Sequence, residues 1–167
     1  MPDFQSIQDC FLHDDGSLPG IELRCDDTRE IPRIYEFLLS GSEITTVDAS
    51  FWDEIAQRDV RIDSVPNPAS LVVDGTSTGF HLCVRKQIAG VDLPELGISV
   101  FQNNIELDWR MGPEWTEEKV FTFFELLHLL KDLAPSLELA GPEMEGVVDP
   151  HAFLRFWEAY KLEKESR

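Results

Sequence analysis

The chain is poor in positive charge. Its 167 residues hold 14 Lys and Arg against 32 Asp and Glu, a formal charge of −18. Acids outnumber bases 9 to 3 over residues 1–40, 7 to 2 over 41–80, 7 to 4 over 81–120 and 9 to 5 over 121–167, so the imbalance is no acidic tail. A negative field of this kind repels nucleic-acid phosphate and anionic lipid and attracts basic proteins or cations. No nucleic-acid partner is expected.

Long apolar runs are also missing. The most apolar window, Val120 to Leu133, is broken by Glu125, His128, Lys131 and Asp132, short of the twenty or so apolar residues a membrane-spanning helix needs. No membrane association is expected. The first residues, Met1-Pro2-Asp3-Phe4-Gln5-Ser6, lack a basic n-region and a following apolar stretch, so no secretory signal is read there. Cys10, Cys25 and Cys83 are odd in number and have no framework spacing, as fits free thiols in the cytoplasm.

Several catalytic signatures are absent too. The stretch Asp74-Gly75-Thr76-Ser77-Thr78-Gly79 lacks the Gly-Lys-Ser/Thr ending of a phosphate-binding loop and reads as a hairpin loop. Ser99 follows Gly97 at the right distance for a nucleophile elbow, but Phe101 stands where the second glycine belongs. No repeated Cys-x-x-Cys, helical His pair or calcium-loop spacing occurs. The one metal-like grouping is Cys10-x-x-His13 with Cys25 and His81-x-Cys83. Cys10 and Cys25 alternate with core residues, so no metal and no cofactor is expected. His128, within a helical pattern, reads as a core or boundary histidine.

What the chain does have is 43% apolar residues, 17 aromatics and clear hydrophobic periods, enough for a folded domain despite the charge. At this length a single globular domain over 1–167 is expected, with a charged, fraying tail at 162–167. Residues 4–25 read as a hairpin around Asp14-Asp15-Gly16. Ile31, Ile34, Tyr35 and Leu38 share one helical face, closed by Gly41. Ser50 and Asp53 with Phe51-Trp52 and Ile55 suggest a short helix. From Val60 to Trp109 the pattern is of strands: Val60 to Val65, Leu71-Val72-Val73, the alternating 80–85, and a hairpin joining 96–100 to 105–109 through Asn103-Asn104.

Helical periodicity then takes over. Thr116 caps a helix with Glu117 and Glu118 in its first turn, and Trp115 and Val120 stand at the two positions of a hydrophobic staple. Its apolar face, Val120, Phe123, Phe124, Leu127, Leu130 and Leu133, makes it the central helix. Leu137-Glu138-Leu139 reads as a short strand, Gly141 to Val148 as a loop, and Asp149-Pro150 as the start of a last helix carrying Phe153, Phe156, Trp157 and Tyr160. The predicted fold is α+β: an antiparallel sheet built from hairpins and packed by a central apolar helix and a C-terminal helix.

Three acidic pairs draw notice. Asp14-Asp15 fits turn chemistry and Asp26-Asp27 fits helix capping, whereas alternation aims Glu106 and Asp108 at one face of a strand. A second cluster, Trp109, Met111, Pro113 and Trp115, sits where sheet meets helix and would serve as an aromatic anchor if exposed. The leading functional reading is therefore a non-enzymatic acidic domain, of inhibitor or immunity type. It would bind a basic protein through Glu106, Asp108, Trp109 and Trp115. Alternatives are a small cation-dependent hydrolase on the same acidic strand face and a highly charged oligomer subunit. A charge of −18 lies well beyond the magnitude of about 2–8 that solubility asks of a small domain.

Overall fold

A computed structural model describes residues 2–141, 149 and 151–166. Its centre is a six-stranded sheet in the order β10-β1-β9-β8-β5-β2, where β1 is Gly20–Cys25, β2 Glu43–Ile44, β5 Phe80–Arg85, β8 Leu96–Val100, β9 Asn104–Trp109 and β10 Leu137–Ala140. Every pairing in it is antiparallel. Four α-helices accompany it among the described residues: α1 Glu30–Leu39, α2 Pro68–Val73, α3 Glu117–Leu133 and α4 Ala152–Glu165. The fold is α+β. None of these helices is long and apolar enough to cross a membrane.

Strand alternation explains where the core lies. Ile21 and Leu23, Leu82 and Val84, Ile98 and Val100, and Ile105 and Leu107 all point to one face and are buried. On that face lie Ile31, Ile34 and Leu38 of α1 and Val120, Phe123, Phe124, Leu127 and Leu130 of α3, in one continuous apolar cluster. Thr116 caps α3 by accepting from the Lys119 N–H, and Trp115 and Val120, the staple pair, are both buried. α4 joins through Phe156 and Phe124, whose ring centroids are 4.6 Å apart. Phe11 stacks on Trp109 at 5.1 Å and meets Phe153 at 6.2 Å, tying the first turns to both sheet and α4.

Several expected elements are different in the structure. Residues 4–12 form no hairpin arm: Phe4–Ser6 and Gln8–Cys10 are single 3-10 turns, the first capped by Asp3, and their Ile7, Cys10 and Phe11 share a helical spacing that fills the core. The short helix expected at Ser50 is instead strand β3, Ser50–Asp53, which pairs with β4, Arg58–Arg61, as a separate ribbon. Asp53 does cap, accepting from the Ile55 and Ala56 N–H groups, but it caps the hairpin turn. Leu71-Val72-Val73 belongs to α2, not to a strand. Asn67 accepts from the Ala69 N–H at 3.1 Å and Pro68 occupies the first helical turn, and this start signal prevails over the β-branched pair.

The 74–79 segment accordingly leaves a helix rather than joining two strands, with Gly75 at φ +75°. The 96–109 hairpin forms as expected, yet neither Asn103 nor Asn104 takes a positive φ. A further two-stranded ribbon pairs β6, Gln87–Ile88, with β7, Val91–Asp92, across Ala89 and Gly90, both in the left-handed region. Asp149 accepts from the His151 N–H ahead of α4, while Pro150 and the expected loop at 142–148 lie outside the described residues. α4 itself continues to Glu165, through most of the tail read as fraying.

Candidate functional site

The alternation that buries one face of the sheet sends Glu22 and Arg24 of β1, Glu106 and Asp108 of β9, Ser99 of β8, and His81 and Cys83 of β5 to the other. All seven are exposed or half-buried. Register sets them in rows. Glu22 stands opposite Glu106, Glu106 opposite Ser99, and Ser99 opposite His81. In the next row Asp108 lies between Gly20 and Gly97, and Gly97 faces Cys83.

Two open clefts of about 590 Å³ each meet at the Glu22–Glu106 pair. The first is bounded by Phe101, Thr78, Val72 and Asn104 at the turn end of the 96–109 hairpin. The second is bounded by Arg24, Asp108, Leu18 and Gly141. Glu22 accepts from Arg24 Nη2 at 2.7 Å and from Asn104 Nδ2 at 3.0 Å. The Glu22 hydrogen bond, and then its charge, raises the pKa of Arg24 above its ordinary value. His81 Nε2 lies 3.1 Å from Asp108 Oδ2.

Serine, histidine and aspartate therefore meet on this face, which raises the question of nucleophilic catalysis. Among the described residues no hydrogen bond joins Ser99 to the His81 ring. β8 is also paired on both sides, so its amides are committed to the ladder rather than free to hold an oxyanion. Cys83 makes no better nucleophile: burial, aided by the charge of Glu95, raises its pKa and keeps the thiol protonated.

The remaining candidates have structural places. Trp109 and Trp115 are each 1% exposed and donate their indole N–H groups to the carbonyls of Cys10 and Arg110. This corrects the expectation of an aromatic anchor: both rings fill the core, and neither offers area to a partner. Asp14 and Asp15 accept from the Gly16 and Ser17 amides as turn residues, and Asp27 pairs with Arg29 ahead of α1.

Cys10 and Cys25 are buried, and burial first of all pushes their thiols up to about 12 and about 11, while His13 is exposed. Among the described residues no group of three or more His, Cys, Asp or Glu is arranged to hold a metal ion. His128 keeps Nε2 3.8 Å from Asp132, and among the described residues its Nδ1 has no hydrogen-bond partner.

Sequence reasoning found Glu106 and Asp108 through hairpin alternation and singled out His81 only in a metal-like grouping, but missed Glu22, Asn104 and Phe101, which complete the face. Glu22 joins them only because β1 inserts between β9 and β10. No family model, curated protein or solved structure matches the chain.

Proposed function

We propose that this chain is a non-enzymatic binding domain that neutralises or accompanies a basic protein, in the manner of an inhibitor or immunity protein, through the acidic face of its sheet. One observation carries the reading: Glu22 and Glu106 stand directly opposite each other on neighbouring strands, with Asp108 two residues beyond. Like charges opposed across a strand pair are destabilising. Arg24 already offsets that repulsion at Glu22, a basic partner would extend the same pairing along the face, and the two clefts flanking the pair supply relief for its side chains to enter. The overall charge of −18 speeds the encounter and makes it sensitive to salt. Three free cysteines suit a reducing compartment such as the cytoplasm.

The test is capture of a partner by the immobilised chain at low and high salt, using wild type and a Glu106→Lys/Asp108→Lys double variant. A basic protein should be retained by wild type, released by salt and lost by the variant. Equal retention by both proteins in all salts would place the contact elsewhere.

A further inference from the structure

We propose that the cleft beside Phe101 receives an arginine side chain of the basic partner, in preference to lysine. This rests on the docking reading above and specifies the chemistry of its contact. Phe101 begins the turn between β8 and β9 and is 41% exposed, an unusual position for a large apolar ring beside two glutamates. The ring packs on Gly79, where a Cβ would come within 2.7 Å of the Val100 carbonyl oxygen and 3.3 Å of the ring's Cδ1. Glycine at 79 is required first by the close Val100 carbonyl and also leaves the ring in tight contact beside it, at the wall of the cleft.

The acceptors line the same cleft as the ring. Asn104 is only 6% exposed, and its orientation is fixed because only its NH₂ group can donate to Glu22. Asn104 is one of the residues that line the cleft, and its Oδ1 accepts from none of the described residues. Glu22 and Glu106 add carboxylates from two strands. A guanidinium matches such a set: it is planar, presents five donors, is weakly hydrated, and stacks on aromatic faces. An ammonium is a compact, strongly hydrated point charge that gains little from the ring or from a planar array of acceptors. The sheet itself contains a precedent, since Arg24 already places its guanidinium on Glu22 from the neighbouring cleft.

Two blocked pentapeptides, Gly-Gly-Arg-Gly-Gly and Gly-Gly-Lys-Gly-Gly, provide the probes, titrated against isotope-labelled protein by NMR. The arginine peptide should shift the Asn104 side-chain amide and the backbone amides of 101–104, and should bind about threefold to fivefold tighter than the lysine peptide. Phe101→Leu keeps the apolar bulk without the π face and should lower that ratio toward one, whereas Phe101→Trp should preserve or raise it. Equal affinities in wild type, or a ratio untouched by Phe101→Leu, overturn the proposal. If both peptides bind equally and the Glu106→Lys/Asp108→Lys variant weakens both, the acidic face docks cations without selecting arginine, and the docking reading stands alone. If neither peptide moves these amides, the arginine site is rejected, and the docking reading is decided by partner capture.

Discussion

Asp108 reaches His81 by crossing the strand that lies between them. β8 separates β9 from β5, and the residue of β8 directly opposite Asp108 is Gly97. A Cβ at position 97 would overlap both carboxylate oxygens of Asp108. The bare backbone is what lets the carboxylate fold over the strand and come within 3.1 Å of His81 Nε2. Glycine weakens a strand interior, and here it opens a path for a charged group across the acidic face.

Gly97→Ala should therefore separate Asp108 from His81 with little change in stability. The atoms that collide are the end of a mobile side chain, and alanine is favoured over glycine within a strand by about 0.5–1 kcal/mol. A half-exposed side-chain contact of this kind contributes about 0–1 kcal/mol, so its loss roughly offsets that gain. Denaturant melts together with a structure of the variant check this. A loss above about 2 kcal/mol would mean that the backbone, not the carboxylate, has to move.

Leu127 sits in the middle of α3, fully buried between sheet and helices. Leu127→Ala should cost about 2–5 kcal/mol, because the surrounding core relaxes only partially into the space it leaves. Leu129, on the half-buried flank of the same helix, should cost less. Urea melts showing equal losses at the two positions would contradict the placement of α3 as the central helix.

The parts of this fold that were legible in the sequence are those where one local rule had no rival. In 80–85, 96–100 and 105–109 the alternation is unambiguous because one face is covered and the other wet. α3 shows its cap, its staple and its apolar face together. Around Ser50 and Leu71 two rules competed. Asp53 looks like a helix cap because it does cap, but in a turn, and Val72-Val73 looks like a strand until Asn67-Pro68 is read as a helix start.

The site was half legible for a related reason. Glu106 and Asp108 emerge from the hairpin's own alternation, and that alternation also turns Trp109 inward, so Trp109 and Asp108 do not share a face. Glu22 and Asn104 enter through β1–β9 pairing, which links distant parts of the chain and leaves no local signal.

Ser136 should matter more than an ordinary loop serine. Its N–H and hydroxyl both donate to the buried carboxyl of Glu30, and its oxygen accepts from the Asp27 N–H at 3.1 Å, joining the start of α1 to the link between α3 and β10. Ser136→Ala leaves a buried acceptor short of a donor and a backbone donor without its acceptor. A loss of about 1–3 kcal/mol is expected. In a double-mutant cycle with Glu30→Gln the two losses should not add, and strict additivity would show that the pair is not coupled.

Alkaline pH should unfold this protein, and the sign follows from three buried acids. Burial lifts Cys10 from an ordinary 9.0 to about 12, with Asp9 and Asp149 adding to the shift. It lifts Cys25 from 9.0 to about 11 and Tyr35 from 10.0 to about 12. Between the ordinary and the raised values the folded chain keeps these protons while the unfolded chain releases them, so rising pH favours the unfolded state. Their contribution is intact below about pH 9 and is lost as pH climbs through about 11–12. Lys86 opposes this, because burial lowers its pKa and the folded chain sheds that proton first, whereas Cys83, also raised by burial, acts in the same direction as the other three. Melting temperatures should be flat from about pH 7 to 8.5 and fall beyond about pH 9. Cys10→Ala should melt lower at neutral pH, through lost packing, yet show a shallower alkaline decline. A decline as steep as wild type's would remove Cys10 from the account and leave Cys25 and Tyr35 to carry it.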